Sequence, residues 1–210
     1  MTKAVVFDFW GTLVENGVYS PVKQVKWIAG IQCSFSDYII TFEESFMLKE
    51  FDNLSEAFEE VLDKFGIEPT QDKLDKLIGM WNKNRLLAKP FGDTIRALET
   101  FKKKYKIALL SNTDCFSVKP ILEKYDLRKY FDEVFLSYQT GMLKTNPKIF
   151  ELIANKLGVT KKDIVMVGDS LDSDIKGAES AGVRAVLLDR KGKRQYKEKI
   201  QNLYELEKIL

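Results

Sequence analysis

Short apolar runs punctuate the chain: Ala4-Val5-Val6-Phe7, Ile107-Ala108-Leu109-Leu110, Val134-Phe135-Leu136 and Ile164-Val165-Met166-Val167, with a further run from Val183 to Leu188. They are rich in β-branched residues and do not alternate with polar ones. Unbroken apolar strands suit a parallel sheet covered on both faces. Helical patterns lie between them. Phe116 to Tyr125 is one. Pro147 to Leu157 is another, with Asn146 as its N-cap and Gly158 just past its end; Leu171 to Ala181 is a third, stopped by Gly182. Strand-helix-strand alternation from 105 to 190 predicts an α/β fold, a doubly wound, Rossmann-like parallel sheet.

The interval from Phe9 to Tyr105 is far longer than one crossover helix needs. Leu54, Ala57, Phe58, Val61, Leu62 and Phe65 recur at helical spacing before Gly66, and Leu74, Leu77, Ile78 and Trp81 form a second stripe. The pattern predicts a helical cap over residues 16–88, inserted after the first strand into a core made of 1–15 and 89–210. Pro90 to Lys104 supplies the crossover helix back to the sheet. Aromatics from Tyr19 to Phe46 do not fit one stripe, so part of them is expected to face a cleft.

At 210 residues and 45% hydrophobic, the chain is long enough to bury a core without disulfide or structural metal. The 33 basic and 31 acidic residues leave +2, which calls for neither a nucleic-acid nor a membrane partner. Histidine is absent, which excludes Ser-His-Asp and Cys-His nucleophiles and histidine zinc sites. Cys33 and Cys115 stand far apart, without a CxxC, and are expected to be small buried hydrophobes in a reducing compartment. The apolar run after Met1 is too short for a signal peptide. A cytoplasmic protein, monomer or homodimer, is the expectation. Lys102-Lys103-Lys104 and Lys191-Gly192-Lys193-Arg194 read as solvated surface.

Ligands of open parallel sheets bind beyond the carboxyl ends of the strands. The residues there are Asp8 with Thr12 after the first run, Ser111 and Asn112 after the second, Lys144 after the third, and Asp169, Asp172 and Asp174 after the fourth. Each alone reads as turn or cap chemistry; converging on one edge they do not.

In this order the residues resemble the haloacid dehalogenase-like hydrolase superfamily over essentially the whole chain. Asp8-Phe9-Trp10-Gly11-Thr12-Leu13 is similar to the first motif, Asp-x-Asp-Gly-Thr-Leu. Ser111-Asn112 is similar to the second, Lys144 with Asn146-Pro147 to the third, and Gly168-Asp169-Ser170 through Asp174 to the fourth. The resemblance implies a Mg²⁺-dependent phosphatase of small phosphorylated metabolites, with Asp8 as the nucleophile that forms an aspartyl-phosphate. It further implies Mg²⁺ on Asp8, the Trp10 backbone carbonyl and Asp169. Lys144 would neutralise developing charge, Ser111 and Asn112 would bind the phosphoryl group, and Thr12 would fix the loop. Asp174, with Asp172 beside it, would order metal-bound water.

One position departs from the pattern. Family phosphatases carry an Asp two residues past the nucleophile as general acid and base, where this chain has Trp10. Such assistance is worth roughly 10²- to 10⁴-fold in rate. A slow phosphatase, or one favouring leaving groups that need little protonation, such as acyl or aryl phosphates, is one outcome. A metal-free 2-haloacid dehalogenase is the alternative, since those relatives carry an aromatic there, but Gly168-Asp169 belongs to metal users. Phosphonate-cleaving relatives need an insert lysine, for which Lys23, Lys26 and Lys49 are candidates. A binding protein with little catalysis is the remaining reading.

Overall fold

The structure, a computed structural model, describes residues 2–15, 17 and 19–210. The expected insert boundary at residue 16 lies outside the described residues. The apolar runs become strands β1 (Ala4–Phe7), β2 (Lys106–Ser111), β3 (Glu133–Leu136), β4 (Ile164–Gly168) and β5 (Arg184–Leu188). A two-residue β6 (Lys199–Ile200), too short to leave a pattern in sequence, completes the edge. The six strands are parallel, in the order β3-β2-β1-β4-β5-β6, so the direction of winding reverses at β1.

The strands are apolar throughout because both faces are covered. Val5, Phe7, Leu109 and Val167 pack with α5 (Thr94–Lys102) and α6 (Val118–Lys124). Ala4, Val6, Leu110 and Met166 pack on the other face with α8 (Lys148–Leu157) and α9 (Lys176–Ser180), while the short α7 (Ser137–Thr140) follows β3. Burying one such side chain stabilises by roughly 1.5–3 kcal/mol. Stripping either layer would therefore exceed the net stability of a typical domain, about 5–15 kcal/mol.

Helix boundaries differ from expectation in physically explicable ways. Helix α8 starts at Lys148 with Pro147 in the cap position, and Asn146 Oδ1 accepts from the Lys148 N–H at 3.1 Å. Helix α6 begins later than Phe116, because Asp114 Oδ1 takes the Phe116 N–H at 2.8 Å and holds the chain in a turn. The segment after β4 opens with a wide π turn, Leu171–Ile175, in which the Ser170 carbonyl receives the N–H groups of both Asp174 and Ile175 at 3.1 Å. Such turns concentrate at functional sites.

Helices α1 (Pro21–Ala29), α2 (Phe35–Phe46), α3 (Leu54–Lys64) and α4 (Gln71–Leu87) form a separate layer. Its core is aromatic: Phe46 stacks on Phe58 at 4.9 Å between ring centroids and meets Trp81 edge-on at 4.9 Å. The chain leaves and re-enters the sheet layer side by side, with Glu15 N–H on the Lys89 carbonyl at 2.9 Å and Phe91 N–H on the Leu13 carbonyl at 3.0 Å. Polar links fasten the layers elsewhere. Trp81 Nε1 donates to Ser117 Oγ at 3.3 Å and Arg85 to the Phe116 carbonyl at 2.9 Å.

The expectation of two buried cysteines fails. Cys33 is exposed in the α1–α2 connection, and Cys115 is half-buried, its sulfur receiving the Phe51 N–H at 3.4 Å. No helix among the described residues is long and apolar enough to cross a membrane.

Candidate active site

The site forms where the sheet reverses. Asp8 continues β1, its N–H on the Val167 carbonyl of β4 at 2.9 Å, so its carboxylate emerges beside the end of β4. The chain then curls tightly, with Leu13 and Val14 N–H both returning to the Phe9 carbonyl at 3.0 and 2.9 Å. Gly11 makes the curl possible with a left-handed φ of +80°. Arg190 holds the loop from outside, donating to the Thr12 carbonyl at 2.7 Å while forking both guanidinium nitrogens onto Asp93 at 3.0 Å.

Lys144 is buried and donates to Asp8 Oδ1 and, at 2.8 Å, to Asp174 Oδ1. Asp174 is brought back by the π turn, and its Oδ2 takes the Ser170 N–H at 2.9 Å. Asp8, Asp169 and Asp174 each offer a carboxylate oxygen within 4.8 Å of the others. Asp8 Oδ2 is buried with no hydrogen-bond partner among the described residues. Burial, with Asp174 and Asp169 adding like charge, pushes Asp8 upward against the pull of Lys144. Burial and Asp174 push Asp169 up as well. For Lys144, burial favours loss of the proton, but Asp174 and Asp8 more than offset it and the net shift is upward. The lysine is firmly cationic.

Asn112 organises the side nearest α2. Its Oδ1 accepts the Lys144 N–H at 2.9 Å, and its Nδ2 donates to Glu43 Oε2 at 3.1 Å. A cavity of about 700 Å³ opens between the strand ends and α2. Asp8, Trp10, Asn112, Lys144, Asp169 and Asp174 all border it. Ser111 and Thr12 are fully buried and do not; Asn112 and Thr113 form the wall there instead. Asp172 sits on the rim and pairs with Lys176 at 2.5 Å, an exposed pair outside the carboxylate cluster.

Two residues escape a reading of motifs. Arg194, in a cluster expected to be solvated surface, reaches within 3.9 Å of Asp169. Glu43 projects from α2 into the cavity, and burial lifts it to about 7 despite Lys144 and the Asn112 hydrogen bond. The available signal for it was indirect. Helix α2 buries Tyr38, Phe42 and Phe46 on one side and lines the cavity with Phe35, Ile39 and Glu43 on the other, which is why its apolar residues fit no single stripe.

Oriented carboxylates, one fixed ammonium and a roofed cavity are suited to nucleophilic displacement on an anionic substrate. A family model for the haloacid dehalogenase-like hydrolases matches residues 2–182. The chain belongs to that family. Among haloacid dehalogenase-like proteins, a glyceraldehyde 3-phosphate phosphatase from Methanopyrus kandleri is 29% identical over 203 residues, which cover 93% of this chain and 87% of its own length. A solved HAD phosphatase from Thermococcus onnurineus is 27% identical, with a TM-score of 0.64 over 99% of this chain and 97% of that one. The L-2-haloacid dehalogenase of Xanthobacter autotrophicus has a TM-score of 0.67 at 20% identity, covering 100% of this chain and 98% of its own, and shares the fold.

Proposed function

We propose that this haloacid dehalogenase-like hydrolase is a Mg²⁺-dependent phosphatase, cleaving a small phosphorylated metabolite through an aspartyl-phosphate on Asp8. The observation that carries the reading is the meeting of Asp8, Asp169 and Asp174 with Lys144 at one buried point. The full-length phosphatase relative supports it.

The donor set suits a hard divalent cation. Carboxylate oxygens crowd together, one of them without a hydrogen-bond partner among the described residues, and the three carboxylates outnumber Lys144 and the more distant Arg194. Asp8, Asp169 and the Trp10 carbonyl would hold Mg²⁺, with Asp174 close enough to share in holding it or its water. Bound there, the ion would screen the substrate's negative charge from the attacking carboxylate. A metal-free dehalogenase gains nothing from this crowding, which would repel an acid substrate.

The chain's own groups do the rest. Asp8 attacks phosphorus, a P–O bond to its carboxylate forms, and the ester P–O bond breaks. Water then attacks the same phosphorus, releasing phosphate and free Asp8. Lys144 keeps Asp8 oriented through the shared ammonium and neutralises charge gathering on the phosphoryl oxygens. Asn112 and the backbone after β2 position those oxygens. The 16–88 unit acts as a cap that excludes water, and its apolar lining favours a substrate with a partly apolar body.

The decisive experiment measures phosphate release from aryl and acyl phosphates, with Mg²⁺ and with EDTA, beside halide release from a 2-haloacid. Metal-dependent phosphate release, lost in Asp8→Asn, is the expected result. Metal-independent halide release would overturn it in favour of the dehalogenase, and neither product would favour a binding role.

A further inference from the structure

We propose that Glu43, carried by α2, is the general acid and base of this active site, doing from the roof what an Asp in place of Trp10 would do from the floor. The proposal rests on the phosphatase reading above. Trp10 has no ionisable group, and histidine is absent from the chain. A proton donor for the leaving oxygen must come from another carboxyl or amine bordering the cavity.

Geometry narrows the choice. Displacement at phosphorus runs in line, so the leaving oxygen lies on the side opposite Asp8. Asp8 belongs to the floor at the strand ends, and α2 belongs to the roof. Lys144, Asp169 and Asp174 are committed to the carboxylate cluster on the floor. Asp114 is tied to the Ser117 hydroxyl and the Phe116 N–H. Glu44 is exposed, and Arg85 is spent on the Phe116 carbonyl and Asn82.

Glu43 differs from all of these. One oxygen is fixed by Asn112 at 3.1 Å, and the other makes no hydrogen bond to a described residue. Asn112 is itself pinned by the Lys144 N–H at 2.9 Å, so the free oxygen of Glu43 is held at a set position relative to the nucleophile. Lys144 and Asp174 act on it electrostatically from the core, Arg85 and Glu44 only border the same cavity, and it forms no ion pair with any of them. Its half-buried position lifts the carboxyl to about 7, the range in which one group both donates and accepts near neutral pH.

The proton balance is complete. As Asp8 takes the phosphoryl group, the ester P–O electron pair stays with the leaving oxygen, which collects the Glu43 proton and departs as an alcohol. The carboxylate so formed then takes a proton from water as its oxygen attacks phosphorus, the P–O bond to Asp8 breaks, and protonated Glu43 is restored. Water enters on the face the alcohol has left, so one side chain serves both steps.

Leaving-group dependence tests this. With Mg²⁺ present, kcat/KM is measured for 4-nitrophenyl phosphate, whose phenolate leaves without a proton, and for an alkyl phosphate, whose alkoxide does not. The expected result is that Glu43→Gln costs about 10²- to 10⁴-fold on the alkyl ester and little on the aryl ester. Glu43→Asp, which keeps a carboxyl, should recover part of the alkyl activity. Equal losses on both esters, or none on either, would overturn the proposal while leaving the phosphatase reading intact. A wild-type protein inactive on both esters would overturn the phosphatase reading itself, and this proposal with it.

Discussion

Gly11 lies so close to Asp169 that a Cβ on the glycine would come within 2.7 Å of the carboxylate oxygen Oδ2. With φ at +80°, the position is also one that L side chains rarely adopt. The turn after Asp8 and the carboxylate after β4 therefore fit together as one surface, with no room between them. Gly11→Ala is expected to destabilise the fold by about 1–3 kcal/mol through backbone strain. It should also displace Asp169 and weaken Mg²⁺ binding by roughly 10- to 100-fold. Urea unfolding reads the first effect and calorimetric Mg²⁺ titration the second.

Lys144 is the one ammonium shared by Asp8 and Asp174, and all three side chains are buried. Lys144→Met would leave two carboxylates in low dielectric without a counter-charge. The expected cost at pH 8 is about 3–5 kcal/mol, with phosphate release down by at least about 10²-fold. Protonation relieves uncompensated carboxylates, so the stability deficit should shrink as the pH falls to 5. A deficit independent of pH would mean that lost packing, not lost charge, is what the variant suffers.

Arg190 joins three distant parts of the chain. It donates to Thr12, pairs with Asp93, and through Asp93 Oδ2 is linked to the Leu203 N–H at 2.8 Å. Arg190→Met would strand buried Asp93, with an expected loss of about 3–5 kcal/mol. Because the same guanidinium braces the loop after Asp8, kcat should fall as well, with KM little changed. Denaturant unfolding and steady-state kinetics on one variant check both.

The sheet was legible because continuous apolar runs have few other uses, and the carboxylates were legible because the fold places residues after each run at one edge. Other features depended on distance in space. Arg194 sits in a basic stretch that looks like ordinary surface until β5 and β6 turn it toward Asp169. Glu43 is one of two adjacent glutamates on α2, and nothing local marks it. Ser111 matched a motif, yet its side chain ends buried within the strand while Asn112 borders the cavity. Side-chain direction at the last residue of a strand is set by register, which a motif does not encode.

Glu43 also sets a pH dependence for stability. Burial raises it from 4.5 to about 7, so the folded state holds this proton more tightly than the unfolded chain does. Its contribution is complete below pH 4.5 and is lost as the pH rises through about 7. Glu43→Gln cannot ionise and escapes that loss. Relative to wild type, the variant should gain stability between pH 5 and pH 8, on the order of 1–3 kcal/mol. Paired urea titrations in EDTA at the two pH values measure it, and a difference of the opposite sign would contradict the raised carboxyl.

Trp10 packs edge-on against Phe9, ring centroids 5.0 Å apart at 86°, and borders the same cavity as Glu43. Trp10→Asp sacrifices that pair, at an expected cost of about 1–3 kcal/mol for a half-buried ring. In exchange it places a carboxyl two residues past Asp8. With Glu43 intact the change should bring little in kcat, because one proton donor already serves the leaving oxygen. In a Glu43→Gln background it should raise alkyl phosphate hydrolysis about 10-fold or more over the single variant, leaving aryl phosphate hydrolysis nearly unchanged. The comparison of the two backgrounds is a double-mutant cycle, so strain from losing the tryptophan cancels to the extent that it is independent of Glu43. A gain that appears equally in both backgrounds would mean that the two positions serve different steps.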